Sequence, residues 1–112
     1  MAECIFCSIV SHTVPTELIA ESDDFIVIKD IHPQAPVHLL IVSREHIPSI
    51  NDVEPRHQAA VGAMIMKAKE LAKQFGLSKG YKLVLNCGSD GGQVIPHLHI
   101  HLLGGKKLNG FI

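Results

Sequence analysis

The chain has 112 residues, 46% of them apolar and 19% charged, with a formal net charge of -1. These values fit an ordinary globular protein long enough to bury a core, and predict one domain over residues 1–112. There is no basic block for nucleic-acid binding and no apolar run of the ~18 residues that a membrane span needs. The opening Met1-Ala2-Glu3-Cys4 lacks the regions of a secretory signal, so a cytoplasmic protein is expected.

Cys4 and Cys7 stand as C-x-x-C, two of three cysteines. Without export signals, that spacing favours metal binding or redox chemistry over a structural disulfide. Ile5, Phe6 and Ile9 are spaced to share one face of a short N-terminal helix, a segment that Pro15 ends. Residues 16–21 read as a short strand, Ser22-Asp23-Asp24 as a turn, and Phe25 to Ile28 as a second strand, giving a hairpin. Ile31 to Pro36, with two prolines, reads as a loop. Val37 to Val42 is nearly continuous apolar sequence, as in a central strand buried on both faces. His38 interrupts it and, taken alone, reads as a core histidine with a hydrogen-bond partner.

Asn51 and Glu54 have the spacing of a capping box, with Pro55 in a first helical turn. Val61, Met64, Ile65, Ala68, Leu71, Ala72 and Phe75 then recur every three or four residues, predicting a long amphipathic helix closed by Gly76. Its methionines read as core filler. Tyr81 to Leu85 is a fourth strand, Asn86 to Gln93 a loop, and Val94 to Leu103 a fifth strand. Residues 104–112 read as a tail whose apolar end, Phe111-Ile112, is a candidate docking element. His12, His32 and His57 read as surface residues, and Cys87 as a small loop residue. The class is α+β, with a mainly antiparallel five-stranded sheet, one long helix and a short N-terminal helix.

The fifth strand carries His97-Leu98-His99-Ile100-His101. Alternation puts the three histidines on one face, neighbours roughly 6.6 Å apart, and Leu98, Ile100 and Leu102 on the other. Cys4 and Cys7 need two further ligands for a metal site. His46 and His97, each at the end of an element, would complete a closed Cys2His2 zinc site, although spacing alone does not choose them. A redox C-x-x-C is the competing reading, but thioredoxin-like pairs follow a strand, and nothing before Cys4 can form one. On the same strand, a neutral imidazole can attack phosphorus while neighbouring histidines stabilise charge on its oxygens.

The H-L-H-I-H-L-L run followed by Gly104-Gly105 resembles the histidine triad (HIT) superfamily. Asp30 to Pro36 with His38, Arg44-Glu45-His46-Ile47 and Asn86 to Gln93 resemble segments of its nucleotide-binding HINT branch. Cys4-Ile5-Phe6-Cys7 resembles the opening of zinc-containing bacterial-type members. The resemblance implies a homodimer that hydrolyses purine nucleoside 5′-phosphoramidates or related P–O bonds through a nucleotidyl-histidine, releasing AMP or GMP. His99 would be the nucleophile, His101 would contact the phosphate, and His38 would orient the cluster. Asp30 would accept from the ribose hydroxyls, while Ile5, Phe6, Ile9, Ile28 and Ile31 would line the base pocket. Asn86, Gly92 and Gln93 would approach the phosphate or leaving group. Cys4, Cys7, His46 and His97 would hold one structural zinc per chain.

One position departs from that pattern. HINT-branch enzymes commonly place a serine after the glutamine, where this chain has Val94, which lacks a hydroxyl to bond the phosphate. A dinucleoside polyphosphate hydrolase and a nucleotide-binding regulatory module with vestigial catalysis are the alternatives.

Overall fold

The computed structural model describes residues 4–109; the candidate docking element Phe111-Ile112 lies outside them. The elements are α1 (Ile5–Val10), β1 (Ala20–Glu21), β2 (Phe25–Lys29), β3 (Val37–Ser43), α2 (Gln58–Gln74), β4 (Tyr81–Val84) and β5 (His99–Gly104). All strands pair antiparallel in one sheet of order β1-β2-β3-β5-β4. The α+β class and the β1–β2 hairpin therefore agree with the sequence reading.

The central strand is β3, paired to β2 from Phe25↔Ser43 to Lys29↔Leu39 and to β5 from Val37↔Gly104 to Val42↔His99. Its two-residue period divides the apolar residues between two layers. Leu39 and Ile41 join Leu98, Ile100 and Leu102 in a core closed by Met64, Ala68, Leu71 and Ala72 of α2. On the opposite face Leu40, Val42, Ile26 and Ile28 pack against Phe6 and Ile9 of α1. The histidines of β3 and β5 share this second, thinner layer.

Several boundaries differ from expectation. The long helix begins at Gln58 rather than at the Asn51–Glu54 box, because Val53 and Glu54 are extended (ψ 129° and 165°). Glu54 precedes a proline, whose ring disfavours helical backbone there. The cap that forms joins Glu54 to His57, whose Nδ1 accepts the Glu54 N–H at 2.9 Å. His57 is consequently buried, not a surface residue. Strand β5 starts at His99 instead of Val94, since Pro96 brings no N–H to a ladder and the His97 N–H turns back to the Ile95 carbonyl (2.8 Å). The first strand shortens to the two residues paired with Val27 and Ile26.

On α2, Ile65 and Met66 are exposed rather than core, as are Tyr81 and Leu83 on edge strand β4. Gly76 leaves α2 at φ +74°, as a terminating glycine should. Among the described residues no helix is long and apolar enough to cross a membrane.

Candidate active site and metal centre

The β3–β5 ladder sets the histidine cluster. His101 lies opposite Leu40 and His99 opposite Val42, so both share the α1 face with His38. Asp30, just past β2, donates its N–H to the His38 carbonyl (3.0 Å). The result brings His38 Nε2 to 2.9 Å from His101 Nδ1 and 3.4 Å from Asp30 Oδ2. The His99 and His101 rings lie 5.1 Å apart, and Phe6 meets His99 edge-on at 5.0 Å.

Fixed backbone partners determine where each ring carries its proton. His38 Nδ1 accepts the Gln34 N–H at 3.0 Å, so its proton sits on Nε2 and is donated to His101 Nδ1. His101 thereby keeps its own proton on Nε2. A carbonyl can only accept, so the 2.6 Å contact from His99 Nδ1 to the His97 oxygen places the His99 proton on Nδ1. His99 Nε2 is left with a free lone pair.

Burial pushes the His99 pKa down. His101 falls to about 4, first through burial and then through repulsion by His99 and His38. Both rings are thus neutral at pH 7. Asp30, His38 and His101 also bring their ligand atoms within 4.8 Å of one another. They do not make a second metal site, because the Gln34 N–H occupies Nδ1 of His38 and its Nε2 is protonated.

Cys4, Cys7, His46 and His97 form a different constellation, with ligand atoms all within 4.8 Å of one another. Cys4 caps α1, its sulfur accepting the Cys7 N–H (3.4 Å), and this knuckle aims both thiols at the end of the sheet. Cys4 Sγ lies 3.2 Å from His97 Nδ1, Cys7 Sγ 3.1 Å from His46 Nδ1, and the two Nδ1 atoms 3.1 Å apart. His97 donates from Nε2 to the Ser43 carbonyl at 2.6 Å, leaving Nδ1 bare toward the sulfurs. Two thiols and two imidazole lone pairs converging at such spacing suit a tetrahedral, borderline-soft cation such as Zn2+. Without a cation, burial and then the adjoining Cys4 push the Cys7 thiol up; a bound cation reverses that sign. His97 thus serves the cysteine cluster with its ring and His99 with its carbonyl.

Other expected site residues are arranged less simply. Ile28, Ile9 and Phe6 are buried, whereas Ile5 is exposed and Ile31 is 86% exposed. Asn86 Nδ2 donates to the Gly91 carbonyl (2.7 Å), folding the glycine-rich loop on itself. A Cβ on Gly91 would strike the Cys87 carbonyl oxygen, so this turn requires glycine. Gly92 adopts φ +79° beside the Asn86 amide. The Gln93 amide donates to the carbonyls of Pro48 (2.7 Å) and Ile95 (3.0 Å) and accepts from Gly88 N–H (2.9 Å). Gln93 is therefore engaged in closing the loop rather than directed at the histidines. Val94, next to it, is 89% exposed.

Sequence reasoning missed the Gln34 N–H and the Ser43 carbonyl, since any residue type supplies such groups. It also missed Glu45 and His57, paired at 2.9 Å. The one available signal was a histidine three residues after Glu54, in a cap position.

The family model "Scavenger mRNA decapping enzyme C-term binding" matches residues 3–111. The chain is 41% identical over 107 residues to the purine nucleoside phosphoramidase of Escherichia coli K12, covering 95% of this chain and 90% of that protein. It resembles the crystal structure of a HIT family hydrolase from Legionella pneumophila with a TM-score of 0.92 and 42% identity, covering 96% of each chain. It also resembles a zinc-bound histidine triad family protein from Mycobacterium smegmatis, with a TM-score of 0.80 and 28% identity over 92% of this chain and 75% of the other.

Proposed function

This chain belongs to the histidine triad family of hydrolases, and from that membership we propose that it hydrolyses P–N or P–O bonds of purine nucleoside 5′-monophosphate derivatives through a nucleotidyl-His99. The observation that carries this reading is the His99 Nδ1–H bond to the His97 carbonyl, 2.6 Å long. It leaves a neutral, buried Nε2 lone pair beside a second histidine that offers a proton donor.

In the proposed reaction the base lies among Ile5, Phe6, Ile9, Ile28 and Ile31, and Asp30 accepts from the ribose hydroxyls. His99 Nε2 attacks phosphorus and the bond to the amine or phosphate leaving group breaks. His101 Nε2–H, aligned by His38 and the Gln34 N–H, hydrogen-bonds the phosphoryl oxygens as charge builds on them. Asn86 and Gly92 shape the loop above the phosphate, Gln93 holds that loop to Pro48, and Val94 flanks the leaving group. Water then attacks the phosphorus and frees His99. For a phosphoramidate the nitrogen takes a proton from solvent as the P–N bond breaks in the first step; in the second, the hydroxyl of the water ends on AMP or GMP and its proton returns to solvent.

Cys4, Cys7, His46 and His97 would hold one zinc per chain, which when bound would cross-link α1 to the loop after β3 and to the segment just before β5. The free thiols it requires suit a reducing compartment such as the cytoplasm. A homodimer is supported by the exposed apolar residues on α2 and on edge strand β4.

Turnover of adenosine 5′-phosphoramidate against a panel of dinucleoside polyphosphates tests the reading. AMP and free amine are the expected products. Preferred cleavage of the dinucleotides would reassign the substrate. Tight AMP binding without turnover would leave a nucleotide-binding module, a reading favoured by the engagement of Gln93 in its own loop and the missing hydroxyl at Val94.

A further inference from the structure

The loop that carries His46 is tied to the head of α2 by a pair, buried His57 and half-exposed Glu45, that the reaction above does not use. Glu45, immediately before His46, accepts from His57 Nε2 at 2.9 Å and from the two terminal nitrogens of Arg56 at 3.2 and 2.8 Å. His57 is buried, and its Nδ1 accepts the Glu54 N–H at 2.9 Å. That contact leaves Nε2 as the nitrogen that donates to Glu45. The ring is held at both nitrogens at the head of α2.

The two bonds to Glu45 differ in weight. Arg56 is 61% exposed, and an exposed ion pair contributes little. The buried imidazole, engaged at both nitrogens, is the rigid partner. Beyond His46 the loop is held by the Ile47 carbonyl, which accepts the Leu98 N–H at 2.7 Å, and by the Pro48 carbonyl, bonded to Gln93. His46 itself is exposed and meets His97 edge-on at 4.9 Å. Its aim at the cysteines depends on the backbone around it.

We propose that His57, acting through Glu45, is a positioning residue for His46 and sets how tightly the Cys4–Cys7–His46–His97 centre holds its cation. The proposal rests on the metal reading of that centre. Groups that orient metal ligands typically change affinity by about 10–100-fold when removed, and His57 does so across the sequence from the head of α2.

The test is competition of the metal-free full chain with a chromophoric chelator for Zn2+ and Co2+, using wild type, His57→Leu, His57→Gln and Glu45→Ala. Wild type should bind one ion per chain. His57→Leu and Glu45→Ala should bind about 10–100-fold more weakly and alter the visible bands of the cobalt form. In His57→Gln the side-chain oxygen can take the Glu54 N–H while the amide reaches Glu45, so affinity and spectrum should recover. If folded His57→Leu and Glu45→Ala match wild type in both readouts, the positioning role is wrong. Should His57→Leu not fold, Glu45→Ala carries the same decision, because Glu45 is half exposed. If wild type itself binds no ion, the metal reading falls, and with it this proposal.

Discussion

His99 donates its Nδ1 proton to the carbonyl oxygen of His97, two residues back, at 2.6 Å. The same His97 points Nδ1 at Cys4 and binds the Ser43 carbonyl through Nε2. One residue therefore orients the proposed nucleophile with its backbone and completes the proposed metal centre with its ring.

If His99 is the nucleophile, His99→Ala should lower phosphoramidate turnover by about 10^4-fold or more, as loss of a covalent nucleophile does. AMP should still bind, because the contacts proposed for Asp30 and the base pocket do not involve His99. Steady-state kinetics with calorimetric AMP binding checks both halves. Turnover within tenfold of wild type would remove His99 from that role.

The acid limb of the pH–rate profile follows from burial. His99 must be neutral to attack, and its pKa lies below the ordinary 6.5. Protonation therefore begins later than for a free imidazole, and kcat/KM should hold to below pH 6.5 before falling. Stability shares the sign. His99 and His101 bind protons less readily folded than unfolded, so stability is full above the unfolded pKa and declines as pH drops from about 6.5 toward 4. An acid limb centred above 6.5 would contradict the assignment.

If the Cys4–Cys7–His46–His97 centre holds zinc as proposed, removing it with a chelator should lower the melting temperature by about 10 °C or more, a loss of a few kcal/mol in a domain of this size. The centre would join α1 to the loop after β3 and to the segment before β5, as far apart in sequence as Cys4 and His97. Differential scanning calorimetry before and after metal removal, with zinc added back, measures it. An unchanged melting temperature with metal demonstrably absent would deny it a structural role.

Val94→Ser restores a hydroxyl at an exposed position beside the loop. A hydrogen bond to a charged group contributes about 1.5–3 kcal/mol, so phosphoramidate turnover should rise about tenfold or more. Equal rates for the two proteins would show that the side chain at position 94 lies outside the reacting geometry.

The sequence alone determined the elements whose signal is periodic and the face each strand presents. His99 and His101 had to share a face opposite Ile100 and Leu102, because a strand offers only two. The strand read over Val37 to Val42 had to be central, because it is apolar on both; the structure extends it by one residue, to Ser43. The C-x-x-C spacing pointed to metal binding or redox chemistry without choosing between them or naming partners.

Tertiary structure decided what long-range contacts decide. The carbonyls of Ser43 and His97 assign different protons to His97 and His99, a division no side-chain pattern encodes. Proline geometry delayed α2 to Gln58 and buried His57, which then met Glu45. At the start, His97, His99 and His101 were three equivalent marks on a strand. The fold makes them unequal because hydrogen bonds to fixed backbone groups choose which nitrogen of each ring keeps a lone pair, and packing chooses what that lone pair faces.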